Sequence, residues 1–176
     1  MDLKAHSVPA FFSALDGVFR GVHYNADAEG LVVVVDNDND PLHDSRHDEP
    51  GTDSGICRYC RIRKTIQRAR NQLKPRRGLP PLRVAIGVAF PAIEAWYLVG
   101  VEKVGETAWK AGLPTGCLPR TRLKELVYGT GRPSLELETK CAKQEARRLM
   151  SMMTALESAF PVGFGLMAQE MRSWIA

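Results

Sequence analysis

Asp36-Asn37-Asp38-Asn39-Asp40 sets three carboxylates at alternate positions directly after the apolar run Leu31-Val32-Val33-Val34-Val35. Two like charges ~4 Å apart repel by roughly 4 kcal/mol at a protein-surface effective dielectric, a cost that a bound cation removes. Hard oxygen donors with no thiolate among them suit Mg²⁺ or Mn²⁺, which takes one or two carboxylates and completes its shell with water and phosphate oxygens. A further carboxylate, Glu94, lies in Phe90-Pro91-Ala92-Ile93-Glu94-Ala95-Trp96-Tyr97-Leu98, among apolar neighbours where solubility does not require an acid.

A second constellation follows the first. His43-x₃-His47 and Cys57-x₂-Cys60 offer four zinc ligands within eighteen residues, enough for a structural zinc that clamps this loop to the helix behind it. The histidines could equally serve the acidic site as proton carriers or phosphate contacts. Beyond the cysteines the chain turns basic: Arg58, Arg61, Lys64 and Arg68 fall on a helix whose inward stripe is Ile62, Ile66, Ala69 and Leu73. Such a stripe suits a nucleic-acid phosphate backbone, read with little sequence preference. The plainer reading is a solvated helix face that neutralises the acidic loop.

Rival motifs fit less well. An EF-hand needs Gly at the sixth and Glu at the twelfth position of the run beginning at Asp36, where this chain has Pro41 and His47. An aspartyl-phosphate mechanism with Asp36 as nucleophile lacks an evident lysine and second acidic pair. Walker, G-x-G-x-x-G and G-x-S-x-G motifs are absent from the sequence.

The elements that must carry these residues are legible as periodicities. Val8–Val22 repeats apolar residues at helical spacing and predicts an amphipathic helix; Leu31–Val35, without alternation, predicts a central parallel strand covered on both faces. A loop over 41–55, a basic helix over Cys57–Leu73, a second strand over Leu82–Phe90 and a helix behind Pro91 ending at Gly100 complete an alternating α/β order. Helices are predicted near 102–111, 119–128, 138–159 and 165–175. The expectation is one domain, with an α/β core over 1–100 and a helical cover over 101–176. In parallel α/β sheets ligands bind at the carboxyl ends of strands, where both the Asp run and Glu94 would stand.

Composition narrows the class. With 176 residues, 44% hydrophobic and 25% charged, the chain can bury one core. Its net charge of +4 conceals two blocks: residues 36–53 hold seven acids against one arginine, and residues 57–83 hold ten bases and no acid. No stretch is long enough for a membrane span and no signal peptide is evident, so no membrane contact and a cytoplasmic location are expected. Four cysteines, at 57, 60, 117 and 141, are too few for a disulfide scaffold and fit a reducing compartment.

LVVVVDNDND at 31–40 followed by PAIEAWYL at 91–98 resembles the Toprim fold shared by topoisomerases, primases and OLD-type nucleases. The resemblance is nearest to small Toprim-like proteins of unknown function linked to ATPases in bacterial defence operons, and it covers roughly residues 8–100. It implies a Toprim-like, mostly parallel sheet flanked by helices, with a helical C-terminal part. It further implies a Mg²⁺- or Mn²⁺-dependent nuclease hydrolysing DNA or RNA phosphodiesters, a nucleic-acid partner and an ATPase partner. By the same resemblance Asp36, Asp38 and Glu94 carry over as catalytic residues and metal ligands, and Asp40 as a ligand or its immediate partner. Toprim domains usually open with a strand ending in Glu, whereas this chain begins Met1-Asp2-Leu3-Lys4 close to the first helix, and Glu29 lies beyond it. A lost glutamate, an abbreviated chain and a catalytic group supplied otherwise all remain open, and the first gives the alternative of a non-catalytic subunit.

Overall fold

The structure, a computed structural model, describes residues 8–37, 40–50, 57–106 and 120–175. Helix α1 (Val8–Asn25) leads to strand β1 (Gly30–Asp36), a short 3-10 turn (Ser45–Asp48), helix α2 (Arg58–Asn71) and strand β2 (Arg83–Ala89). A cis peptide joins Phe90 to Pro91, and α3 (Ile93–Tyr97), α4 (Arg120–Tyr128) and α5 (Leu135–Leu149) follow. A 3-10 turn (Met150–Met152), α6 (Met153–Ala159), a π-turn (Pro161–Gly165) and α7 (Leu166–Arg172) complete the described chain.

The fold is mixed α/β, with a small parallel sheet flanked by helices. Among the described residues the sheet has two strands, paired in register from Gly30 opposite Arg83 to Asp36 opposite Ala89. Alternation along β2 builds two cores. Ile86 and Val88 meet Leu15 and Phe19 of α1 and Ile62, Ile66 and Ala69 of α2, while Ala85 and Ala89 face Trp96, Leu123, Leu149, Leu156, Phe160, Phe164 and Met167. Burying one large apolar side chain of this kind contributes about 1.5–3 kcal/mol.

The sequence expects β1 to be central and covered on both faces, but among the described residues the sheet has only two strands and β2 is the better covered. β2 is buried along its last five residues, but among the described residues β1 is covered on one face only. Val33 packs toward α1 and α2, whereas Val32 and Val34 remain 42% and 43% exposed. The C-terminal helices press on β2, and an unbroken β-branched run cannot tell a strand with two covered faces from a half-covered one.

The helical half also departs from the periodicity. Residues 102–105 are not helical, Glu106 is, and residues 107–111 of the helix predicted over 102–111 lie outside the described residues. The helix predicted over 138–159 starts earlier, where Ser134 caps Leu137 N, and is broken at Met150–Met152. The break before α7 is filled by the π-turn, whose Val162 and Gly163 amides donate to the buried carboxylate of Glu106. No single helix among the described residues is long and apolar enough to cross a membrane.

Candidate functional site

The carboxyl edge of the sheet is assembled by one side chain. Asp36 ends β1, and its Oδ1 accepts a 2.9 Å hydrogen bond from Ile93 N, an orphan amide at the start of α3. The residue at the helix's own cap position, Ala92, has no side chain able to do this. Glu94, the residue after Ile93, is therefore brought to the same edge as Asp36. Its carboxylate is nearly sealed from solvent, at 3% exposure. Oε1 lies 4.0 Å from Lys124 Nζ, and Oε2 has no hydrogen-bond partner. Asn37, wholly buried, donates its backbone amide to Ala89 O at 2.8 Å and its side-chain amide to Asp40 O, leaving Oδ1 without a partner.

Cations crowd this edge. Arg120 of α4 pairs with Asp36 Oδ2. Arg58 donates to Asp40 Oδ2 at 3.0 Å and to Asp36 O at 2.9 Å, and Arg61 also pairs with Asp40. Lys124 bridges Glu94 and Glu138, 3.8 Å from the latter. Two tyrosines complete the rim. Burial, followed by the charges of Glu94, Asp36, Glu138 and Glu145, pushes the Tyr97 hydroxyl up to about 12. Burial and Glu94 push Tyr128 upward as well. Both are hydrogen-bond donors at neutral pH.

The expected quartet of hard ligands is brought together only in part. Asp36 and Glu94 stand at the same edge, each beside its own cation; Asp40 is held by two arginines; Asp38 lies outside the described residues. Among those residues, the acids of this edge do not form a group of three able to share an ion. The sequence reading missed Arg120, Lys124 and Tyr128, although their four-residue steps put all three on one face of α4.

The predicted basic stripe is divided. Arg58 is 8% exposed and turned inward, and Arg61 is half-buried against Asp40 and the Phe12 ring. Arg58 is thus no part of a solvent-facing stripe, because β1 ends in acceptors that α2's first turn must satisfy. Lys64 and Arg68 are exposed. Other bases of the same block also bond within the protein: Arg76 ties Ala26 O, Ala28 O and Pro80 O together, and Arg63 pairs with Asp48. Much of the charge contrast along the chain is spent in internal pairing.

His43, His47, Cys57 and Cys60 do meet: one ligand atom from each lies within 4.8 Å of the others. His43 Nδ1 is 3.7 Å from Cys57 Sγ and 3.3 Å from Cys60 Sγ. This group can hold a metal such as zinc. Burial lowers the pKa of His43, with Asp48 opposing, and burial with the Cys57 hydrogen bond pushes the Cys60 thiol up to about 12.

No family description, curated protein or solved structure matches this chain.

Proposed function

We propose that this chain is a Toprim-like domain that hydrolyses phosphodiester bonds of DNA or RNA with Mg²⁺ or Mn²⁺ at the carboxyl edge of its strands. The observation that carries this reading is the buried Glu94, with Oε2 unpartnered, fixed beside Asp36 at the end of a parallel strand. A sealed carboxylate oxygen without a donor is costly unless something electropositive completes it. The donor set at this edge is all oxygen, as Mg²⁺ and Mn²⁺ require. Asp36 and Glu94 would hold the ion, joined by Asp38 from the adjoining sequence. When bound, the ion would polarise the scissile phosphate and lower the pKa of a water.

The chain's own residues supply the rest. Arg120 and Lys124, lying on Asp36 and Glu94, are placed to exchange a carboxylate partner for phosphate oxygens. Tyr97 and Tyr128, protonated at neutral pH, can donate to the same oxygens. Asp40 is a positioning residue, since it fixes Arg58 and Arg61. Lys64 and Arg68 would meet the backbone away from the reacting phosphate.

The test is cleavage of DNA and RNA by the purified protein with Mg²⁺ and Mn²⁺. Activity should be abolished in Asp36→Asn, Asp38→Ala and Glu94→Gln; activity persisting in all three defeats the proposal. One observation favours a second reading, a non-catalytic subunit that docks on nucleic acid or on a partner ATPase: Asp36, Asp40 and Glu94 already face arginine or lysine. Salt-sensitive duplex binding without metal, with no cleavage under any divalent ion, would select it.

A further inference from the structure

We propose that His43, His47, Cys57 and Cys60 form a closed structural zinc site that sets the first turn of α2 against the carboxyl edge. The geometry fits zinc closely. Tetrahedral Zn–S bonds near 2.3 Å and Zn–N bonds near 2.0–2.1 Å put neighbouring ligand atoms about 3.3–3.8 Å apart. His43 Nδ1 stands 3.7 and 3.3 Å from the two sulfurs. Two histidines and two cysteines fill all four positions, so the site keeps none open for substrate.

The surroundings of His43 match those of a metal ligand. Its Nε2 lies 3.3 Å from Asp48 Oδ2, so Asp48 can hold the ring with Nδ1 turned toward the sulfurs. Such carboxylate support orients a ligating imidazole and raises its basicity. Asp48 is itself held by Arg63 of α2. The 3-10 turn that carries His47 begins just after His43 and is fixed by Asp44, whose side chain accepts from Arg46 N at 3.0 Å.

The placement gives the ion a task. Cys57 is the N-cap of α2, and its Sγ accepts from Cys60 N at 3.4 Å. The next residue is Arg58, which reaches Asp36 O and Asp40. The histidines follow the strand that ends in Asp36, so zinc would tie both ends of this segment and hold Arg58 and Arg61 in register with the edge. This site stands independently of the phosphodiesterase reading.

Elemental analysis of the full chain, purified without chelator, should give one zinc per molecule, and X-ray absorption should show two sulfur and two nitrogen neighbours. Protein stripped by chelator should take up Co²⁺ with the visible bands of a tetrahedral thiolate site. Cys57→Ser with Cys60→Ser should lose the metal. Because loss of both thiols can also unfold the chain, Asp48→Asn is the second measurement: zinc affinity should fall about 10- to 100-fold while the coordination spectrum is kept. In the stripped wild type, amide exchange should quicken in the first turn of α2 and slow again on adding zinc. Stripped wild type that binds neither Zn²⁺ nor Co²⁺ stoichiometrically would overturn the proposal. So would bound zinc without sulfur ligands, or one full zinc in the double cysteine variant. Glu94→Gln should leave zinc content unchanged, which separates this site from the edge.

Discussion

Asp36 caps a helix that is not its own: its Oδ1 accepts the amide of Ile93, fifty-seven positions later in the chain. One carboxylate therefore both joins β1 to α3 and stands where the chemistry is proposed. Stability and activity can be separated at this position. Asp36→Asn keeps an oxygen acceptor for Ile93 and should change unfolding free energy by less than about 1 kcal/mol, whereas Asp36→Ala should cost about 1–2 kcal/mol through the lost cap and the stranded Arg120. Cleavage should be lost in both. Urea denaturation beside the nuclease assay tests the pair.

The arginines of α2 should divide by what they touch. Arg58→Ala removes a buried partner of Asp40 and of the Asp36 carbonyl and should destabilise by about 3 kcal/mol. Lys64→Ala and Arg68→Ala change exposed residues. Each should leave stability within about 0.5 kcal/mol and reduce the salt dependence of duplex binding by about one unit of slope. Thermal melts and salt-titrated binding separate the two classes.

Much of this arrangement is legible in the chain. The placement of Asp36 and Glu94 at one edge follows from two apolar runs, the first ending in Asp36 and the second leading through Pro91 into the helix that carries Glu94, and the His/Cys group follows from spacing. What spacing could not show is partner choice. Nothing in an arginine-rich helix says that Arg58 turns inward while Arg68 faces solvent; that depends on where β1 ends relative to α2. Arg120 and Lys124 sit far along the sequence, and only the packing of α4 on α3 brings them to the edge. The same limit applies to β1, whose valines look central until the C-terminal helices are seen to favour β2.

Glu106 offers a test of the second half. Its carboxylate is 1% exposed and accepts from Val162 N at 3.0 Å and from Gly163 N. Glu106→Ala should cost about 2–3 kcal/mol, since buried amides lose a charged acceptor. Gly163→Ala should be at least as severe, because a Cβ there would run into the Val88 carbonyl. Denaturant midpoints with unchanged m-values would confirm loss of stability without rearrangement.

Alkaline titration probes the rim. Tyr97 is raised from 10.0 to about 12 by burial and then by Glu94 and Asp36. The unfolded chain releases this proton first, so the tyrosine's contribution to stability is intact below pH ~10 and is lost as pH rises through the folded value near 12. Glu94→Gln removes one negative neighbour of both tyrosines and should bring their ionisation, followed by tyrosinate absorbance, back toward ordinary values. Unchanged tyrosinate curves would show that Glu94 does not face them.

The parallel pairing of Gly30 with Arg83 and of Asp36 with Ala89 has a kinetic side. β1 must wait for a partner that is synthesised only after the whole of α2. Non-local pairing of this kind is slow compared with helix formation, because loop closure is completed before the contacts repay it. In that interval the valines of β1 have no partner strand, and Val32 and Val34 stay exposed even afterwards. An apolar strand awaiting its neighbour can pair instead with another copy of itself. The yield of refolding should therefore fall with protein concentration, and a charged residue at Val32 or Val34 would act as a gatekeeper against self-association.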